Sequence, residues 1–229
     1  MILLTGDKHG GYNNSFSTLT VNNFPLQKEL TKKDYLIFLG DFWLVGDSQQ
    51  EKIELLNWLD NSPWTTLFVD WNHENFDALL QLPEILMFWD FVGKVTDSIY
   101  HLKRGKVYTI NSSKFFVMWW ALSTDKNFRT PWIDWWPQET PDSFEFRLGY
   151  ENLEKHNNKV DYIISHTCPE SIIDKMFWKW YSENKDIVSK YFNSINNIVE
   201  FKHWYFWHFH ENKTFQKYTV LYEDILLLQ

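Results

Sequence analysis

One stretch sets the pattern for the whole chain: Leu67-Phe68-Val69-Asp70-Trp71-Asn72-His73-Glu74. The apolar run from Thr66 to Val69 has the β-branched and aromatic composition of a buried strand. It stops abruptly at Asn72 and His73, two residues that can bind a metal ion or move a proton. Because α/β proteins build their sites at the carboxyl ends of strands, the stretch predicts a functional site at this edge.

The same arrangement, an apolar run that ends in Asp, Asn or His, recurs along the sequence. The other predicted strands of this kind are 2–4 before Gly6-Asp7-Lys8-His9-Gly10, 35–39 before Gly40-Asp41, 160–165 before His166, and 202–206 before Trp207-His208-Phe209-His210. Gly6 and Gly10 allow a tight turn around Asp7 and His9 and a close approach of the backbone to a ligand. Together the strand ends predict one metal-loaded cleft.

The composition is that of an ordinary globular protein of one domain, spanning residues 1–229. Hydrophobic residues make up 44% of the chain and charged residues 23%. No apolar run approaches the roughly 18 residues of a membrane span, and Met1 to Asp7 predicts a first strand rather than a signal peptide. The single Cys168 excludes an internal disulfide and fits a cytoplasmic location. The net charge of −8 argues against a nucleic-acid partner, although a local basic groove is not excluded.

The remaining elements follow from periodicity and turn residues. Helices are predicted from Asp47-Ser48 to about 59, over 74–80, from Pro141-Asp142 to about 156, over 169–175 and over 183–199. Three strands, Ile99–Leu102, Lys106–Ile110 and 114–119, follow one another so closely that they predict an antiparallel part of a sheet. Residues 219–225 are predicted as the last strand, and 121–141 as a long loop of the kind that is often functional.

The side chains at the strand ends have the donor types of a transition-metal site. They are Asp7, His9, Asp41, Asn72, His73, His166, His208 and His210. Mixed carboxylates and imidazoles suit Zn, Mn, Fe or Ni better than Ca or Mg. Seven or more ligands exceed the needs of one ion. Two ions about 3.5–4 Å apart that share one carboxylate would use them all and form a phosphoester-cleaving centre.

The order and content of these motifs resemble those of the calcineurin-like metallophosphoesterase family. The matching segments are Gly6-Asp7-Lys8-His9-Gly10, Gly40-Asp41, Asn72-His73-Glu74, His166 and His208-Phe209-His210, which span nearly the whole chain. A lone Asp-x-His or Asn-His-Glu carries little information, but five motifs in the family's order are specific. The resemblance implies an α/β fold like that of metallo-dependent phosphatases, a four-layer αββα sandwich of two mixed sheets flanked by helices. The alternation of strands and helices agrees but does not distinguish this fold from other α/β layouts.

The resemblance also implies a role for each matching residue. The metal ligands fall into three groups: Asp7, His9 and His210 on the first ion, Asp41 bridging both ions, and Asn72, His166 and His208 on the second. His73 would act on the substrate as a general acid or stabilise the departing oxygen. The implied activity is hydrolysis of a small phosphomonoester or phosphodiester, in which a hydroxide shared by the two ions attacks phosphorus in line. The cofactors would be two divalent ions, Mn, Fe, Zn or Ni, with Mn the first choice.

Each candidate ligand also has a structural alternative. Asp7 and Asp41 can simply cap turns or helices, and Asn72 can be an ordinary turn residue. His166, taken alone, is more simply a hydrogen-bonded core histidine. The series as a whole favours the metal centre over these separate explanations.

The last motif and its surroundings are interpreted in the same way. His208 and His210 alternate along a segment predicted as extended, so both point to one side, which favours a metal pair. Glu74 is assigned to capping the following helix, and Cys168 to a buried, inert position. The histidines outside the motifs are assigned structural roles: His101, His156 and His203.

Tryptophan is in excess in this chain, and glycine is scarce. The sequence contains 14 Trp and 8 Gly, whereas usage of about 7% would give roughly 16 Gly. The departures from the family's motifs are Trp in place of Gly, and the positions are Trp43, Trp71, Trp119, Trp120, Trp132 and Trp207. The backbone turns sharply at such positions, often with positive φ, and leaves no room for a side chain. A left-handed conformation costs a non-Gly residue ~1–2 kcal/mol, and overpacking by an indole adds ~1–3 kcal/mol.

Six such changes at demanding turns are improbable as drift. We hypothesise that the gene uses UGA for glycine, as some bacterial lineages do, and that the sequence reads UGA as tryptophan. Trp135 and Trp136 are exceptions, because resembling family members can carry Trp-Trp-Pro there. Codons other than UGA at Trp71 and Trp207 would refute the hypothesis.

Two other functions remain open at the level of sequence. A nuclease would share the fold, but the acidic charge and the lack of Lys/Arg clusters weigh against it. The other alternative is a catalytically impaired protein that binds a partner. It gains weight if the polypeptide contains the tryptophans, because indoles at 71 and 207 would displace the ligand loops. The presence of every ligand argues against decay. The sequence indicates neither the substrate nor the oligomeric state.

Overall fold

The structure, a computed structural model, describes residues 1–6, 8–70, 74–118, 130, 141–177 and 187–228. The strands in these residues are β1 (Ile2–Thr5), β2 (Tyr35–Phe38), β3 (Thr65–Val69), β4 (Glu84–Met87), β5 (Asp90–Lys94), β6 (Ile99–Leu102), β7 (Lys106–Ile110), β8 (Ser113–Met118), β9 (Tyr162–Ser165), β10 (His203–Phe206), β11 (Lys213–Phe215), β12 (Tyr218–Val220) and β13 (Ile225–Leu227). The α-helices are α1 (Gln50–Asp60), α2 (Phe76–Leu80), α3 (Ser143–Lys155), α4 (Glu170–Met176) and α5 (Ile187–Ile198), and two 3-10 helices span His9–Leu19 and Pro25–Glu29.

These strands form two mixed sheets. The seven-stranded sheet has the order β13-β1-β2-β3-β6-β5-β4, and the six-stranded sheet has the order β11-β12-β10-β9-β8-β7. Strands β1, β2, β3 and β6 run parallel, and so do β8, β9, β10 and β12. The predicted α/β class with two mixed sheets is confirmed. Because the central strands are parallel, the carboxyl ends within each sheet lie along one edge.

Side chains that alternate along the seven-stranded sheet divide between two hydrophobic cores. Leu4 and Leu67 share one core with Phe206 of the six-stranded sheet, so the two sheets pack face to face. Leu3, on the opposite face, shares the second core with Trp64 and the residues of α1 and the 3-10 helices. Strand residues with this period of two explain the layers: a helical layer, the seven-stranded sheet and then the six-stranded sheet.

The helix ends and faces follow from sequence signals. The side chain of Asp142 accepts from the backbone N–H of Glu145 at 2.9 Å, and the Glu145 carboxylate accepts from the N–H of Asp142 at 3.0 Å, a capping box at the predicted start of α3. In α5, Val188, Phe192 and Ile195 are buried at helical spacing. Within the described ranges, every helix is too short or too polar to cross a membrane.

Three element predictions are wrong. Strand β6 pairs in parallel with β3 of the seven-stranded sheet instead of joining β7 and β8 in an antiparallel group. The predicted strand 219–225 is two strands, β12 and β13, which belong to different sheets. The first predicted cap does not cap α1, because Asp47 accepts from the N–H of Gln49, one residue before the helix begins. The predictions for 119, the loop at 121–129 and 131–140, and 183–186 lie outside the described residues.

Candidate metal centre

The structure describes five of the seven predicted metal ligands. These are His9, Asp41, His166, His208 and His210. Asp7 and Asn72, together with the predicted general acid His73, lie outside the described residues. The described ligands follow the ends of β1, β2, β9 and β10.

His9 and Asp41 connect the ends of two neighbouring parallel strands. His9 Nδ1 lies 2.8 Å from Asp41 Oδ2, and the Asp41 side chain is fully buried. The backbone N–H of Gly10 donates to the Asp41 carbonyl at 3.2 Å. Both residues have left-handed backbones, with φ of +40° at His9 and +47° at Asp41. The chain accepts this strain at the point where it brings an imidazole against a carboxylate.

The histidines of the six-stranded sheet reach the same region in two separate contacts. The rings of His166 and His208 are 4.4 Å apart between centroids. The backbone N–H of Trp207 donates to the His166 carbonyl at 3.1 Å, which joins the ends of β9 and β10. The ring of His210 lies 5.6 Å from that of His9, at nearly a right angle. The strand ends of the two sheets thus meet through the His9 and His210 rings.

The prediction that His208 and His210 lie on an extended segment and point to one side is wrong. Strand β10 ends at Phe206, and 208–210 form a turn in which His210 has a φ of +49°. The two side chains therefore separate instead of pointing to one side of an extended strand. His208 contacts His166 and His210 contacts His9, which groups them as the resemblance assigns them to the two ions.

Two of the suspect tryptophans lie among these ligands. The Trp207 side chain is 1% exposed, and its ring centroid is 4.9 Å from that of His166. Its indole lies against Gly40, where even a Cβ atom would overlap it. Trp43 has a φ of +48°, as the glycine hypothesis expects, and its ring is 5.2 Å from that of His9.

Glu74 does not cap the following helix, which corrects its assignment. The cap of α2 is Asn75, whose side chain accepts from the N–H of Ala78 at 3.1 Å. Glu74 is fully buried, and its Oε1 accepts from the backbone N–H groups of Phe42 and Trp43, each at 3.0 Å. Burial raises the pKa of Glu74 to about 8, although the two N–H groups lower it. The missed signal is Asn75, a stronger capping residue than Glu74 at the next position.

Asp70 and His101 form a second buried contact that the sequence did not indicate. His101 Nε2 lies 3.0 Å from Asp70 Oδ1, and both side chains are buried. His101 also stacks on Phe68, with ring centroids 5.1 Å apart. Its predicted structural role agrees with these contacts. Cys168 is fully buried, as predicted, and burial raises the pKa of its thiol.

The donors in this region are of the types that bind transition metals. Imidazoles and a carboxylate are ligands of Zn, Mn, Fe and Ni. The 2.8 Å between His9 Nδ1 and Asp41 Oδ2 is the distance of a hydrogen bond or ion pair. The described part of the chain, which omits Asp7 and Asn72, contains no group of three His, Cys, Asp or Glu side chains arranged to hold a metal ion. A complete coordination shell would need those two residues.

Comparisons with known proteins add nothing to this picture. No protein-family model matches the chain, and a search of the curated proteins gives no match either. The functional assignment therefore depends on the motifs and on the geometry of the strand ends.

Proposed function

We propose that the chain is a binuclear-metal phosphoesterase that hydrolyses a phosphomonoester or a phosphodiester. The observation that supports it is that five predicted ligands from four strand ends form two contacting groups: His9 with Asp41 and His210, and His166 with His208. The proposal includes the four-layer αββα arrangement of metallo-dependent phosphatases. It also includes a small phosphoester as substrate, which the acidic chain favours over nucleic acid.

The two ion sites use the groups that the resemblance implies. Asp7, His9 and His210 would hold one divalent ion, preferably Mn, while Asn72, His166 and His208 would hold the other. Asp41 would bridge them. When bound, such ions act as Lewis acids on the phosphoryl oxygens and lower the pKa of water.

The protein's own groups would orient the donors and move the proton. The buried Asp41 carboxylate, close to the His9 ring, lies where water competes least for it, which strengthens its attraction to cations. His166, also fully buried, is held by the contact between the ends of β9 and β10. His73 would donate a proton to the departing oxygen of the substrate.

A metal-dependence screen tests the proposal. The chain is prepared with glycine at 43, 71, 119, 120, 132 and 207 and assayed on an aryl phosphate monoester, a bis-aryl phosphate diester and a nucleic-acid substrate. We expect about two Mn ions per chain by elemental analysis and hydrolysis of an aryl ester that a chelator abolishes.

Variants of the ligands give the control. Asp41→Asn and His166→Ala should lose both metal and hydrolysis, whereas His156→Ala, at the end of α3 away from the strand ends, should keep both. Glycine-containing protein that binds no metal and cleaves neither ester would overturn the proposal. Cleavage of the nucleic acid alone would replace it with a nuclease.

A second candidate applies to a polypeptide that truly contains tryptophan at 207. The buried indole lies against Gly40 and the His166 ring, where the predicted second ion would be held. That observation favours a catalytically impaired protein of the same fold that binds a partner. Protein purified from the native host separates the two candidates, because the impaired protein would contain tryptophan at 207 and little metal.

A further inference from the structure

Glu74 connects two loops that carry predicted ligands. It follows Asn72 and His73 in the chain, and its Oε1 accepts from the N–H groups of Phe42 and Trp43, directly after Asp41. A buried N–H group without an acceptor is unfavourable, and strand β2 ends at Phe38, before these two groups. The carboxylate therefore serves as their acceptor in place of a neighbouring strand.

The turn that Glu74 holds is strained and buried. Asp41 and Trp43 have φ of +47° and +48°, on either side of Phe42. The Phe42 ring is fully buried and stacks on Phe68 of β3, with centroids 4.2 Å apart and planes at 11°. Left-handed residues persist only where their surroundings fix them. The ring stack and the two hydrogen bonds to Glu74 fix the backbone around Asp41, the residue that contacts His9.

The other flank of the predicted ligand segment is also anchored. Asp70, which directly precedes residues 71–73, lies 3.0 Å from His101 on β6. Glu74, which directly follows them, is bonded to the turn after β2. Both anchors are buried and connect the end of β3 to its neighbouring strands. They fix Asp70 and Glu74, the described residues on either side of 71–73.

From this geometry we infer that Glu74 is a positioning residue, which holds the turn that aims Asp41 and couples it to the chain at position 74. The inference rests on the proposed function, because Asp41 and Asn72 are its predicted metal ligands. In this role Glu74 acts through the backbone N–H groups of Phe42 and Trp43. Removal of a residue that orients metal ligands through hydrogen bonds typically lowers metal affinity or activity about 10–100-fold.

The test combines amide hydrogen exchange with Mn²⁺ titration. Glu74→Ala should speed exchange at the amides of Phe42 and Trp43 in the chain as it stands. It should also weaken Mn²⁺ binding about 10–100-fold by calorimetry, in that chain or in the form with glycine at 43, 71 and 207. Glu74→Gln keeps an acceptor oxygen, so it should restore both properties. If Glu74→Ala does not fold, Glu74→Asp, one methylene shorter, is used with the same measurements.

Asp60 provides a matched control. Its Oδ1 accepts from the backbone N–H of Ser98 at 3.0 Å, just before β6 and at the opposite end of the parallel strands. Asp60→Ala should reduce stability without changing Mn²⁺ affinity. Unchanged exchange at Phe42 and Trp43 in Glu74→Ala would overturn the inference by itself. If neither form of the parent chain binds Mn²⁺, the proposed function fails, and the exchange data still decide whether Glu74 holds the turn.

A separate observation concerns Trp89, at the tip of the hairpin between β4 and β5. Met87 pairs with Asp90, so the loop consists of Phe88 and Trp89 alone. Their φ values are +58° and +71°. Two-residue loops with positive φ at both positions are type I′ turns, which strongly favour glycine at the second position.

Within the described residues, the packing of Trp89 does not account for a large apolar side chain. The residue is 86% exposed, the most exposed of the large hydrophobic residues in the described chain. We infer that the native polypeptide has glycine at position 89, a seventh position of the same kind as Trp43 and Trp207. The structure identifies it from backbone conformation, without any family motif.

One tryptic peptide of protein from the native host tests this. Peptide 53–94 contains Trp58, Trp64, Trp71 and Trp89 and has no internal Lys or Arg. Sequencing by mass spectrometry should find tryptophan at 58 and 64 and glycine at 71 and 89. Tryptophan at 89 overturns the inference, and glycine at 71 with tryptophan at 89 would limit the substitution to the motif positions.

Discussion

Trp64 and Trp207 are both buried, but their surroundings differ. The indole N–H of Trp64 donates to Thr66 Oγ1 at 3.1 Å, and its ring meets Phe24 and Trp58 edge-on. Trp207 instead lies against Gly40, where no Cβ would fit beside it, and next to the candidate ligand His166. Burial alone therefore does not show that a side chain belongs to its site. The Trp64 site offers an indole a polar acceptor and aromatic edges, whereas the Trp207 indole, although it meets the His166 ring edge-on, fits only because position 40 is glycine.

Removal of the Trp64 indole should have the largest effect. Trp64→Gly deletes a packed aromatic side chain from the core beneath α1, so we expect a loss of at least about 3–5 kcal/mol in unfolding free energy. Urea titration followed by circular dichroism measures it. Trp207→Gly is the matched variant. Equal losses of unfolding free energy in Trp64→Gly and Trp207→Gly would contradict the proposed difference between the two sites.

Trp207→Gly should instead improve metal binding. If the ion must displace the indole, removal of a displacement cost of ~1–3 kcal/mol corresponds to about 5–140-fold tighter binding. Calorimetric titration with Mn²⁺ compares this variant with the parent chain, and Trp204→Phe serves as a control because Trp204 is buried beside Ser165, within the sheet. Unchanged Mn²⁺ affinity in Trp207→Gly would contradict the interpretation of this region.

Trp89→Gly should raise stability. Loss of the exposed indole removes little packing, and glycine has no Cβ to strain the left-handed backbone. We therefore expect the unfolding free energy to rise by about 1–2 kcal/mol. Thermal and urea unfolding measure the gain. Trp58→Gly, in the interior of α1, should have the opposite sign, because glycine weakens helices. A loss of stability in Trp89→Gly would show that the hairpin favours tryptophan.

Trp43→Gly should have the smallest effect. Its φ of +48° gives the same conformational relief, but the half-buried ring also packs near His9. The two contributions oppose each other, so the net gain in unfolding free energy should stay below about 1 kcal/mol. Comparison of Trp43→Gly with Trp43→Ala separates them, since alanine removes the ring but keeps the strained Cβ. Equal stability of these two variants would exclude backbone strain at this position.

Local patterns predicted the strand ends well, because an apolar run and the polar residues that follow it are neighbours in the sequence. Strands β9 and β10 end at the predicted residues, and β1 and β2 end one residue away from them. Pairing between distant segments was not readable in this way. Strand β6 pairs with β3, although a helix and a hairpin lie between them in the sequence. The sequence of residues 99–102 does not indicate which strand it pairs with.

The errors at single residues have separate physical causes. His208 and His210 were placed on an extended segment, but β10 ends at Phe206 and the chain turns. Glu74 was assigned to a helix cap because it precedes α2, whereas its actual acceptor role depends on a loop about thirty residues earlier, with donors at Phe42 and Trp43. The Phe88–Trp89 turn was missed because neither residue is typical of a type I′ turn.

Strand β4 is the last strand at its edge of the seven-stranded sheet, as far as the described chain extends. Its Leu86 side chain is 70% exposed, and Trp89 projects from the adjoining tip. An open edge beside apolar side chains is a template for association between copies of a chain. Material produced in a host that inserts tryptophan should therefore self-associate more than the glycine form in sedimentation at increasing concentration. If the native protein has glycine at 89, self-association measured on such material would include a contribution from the inserted indole.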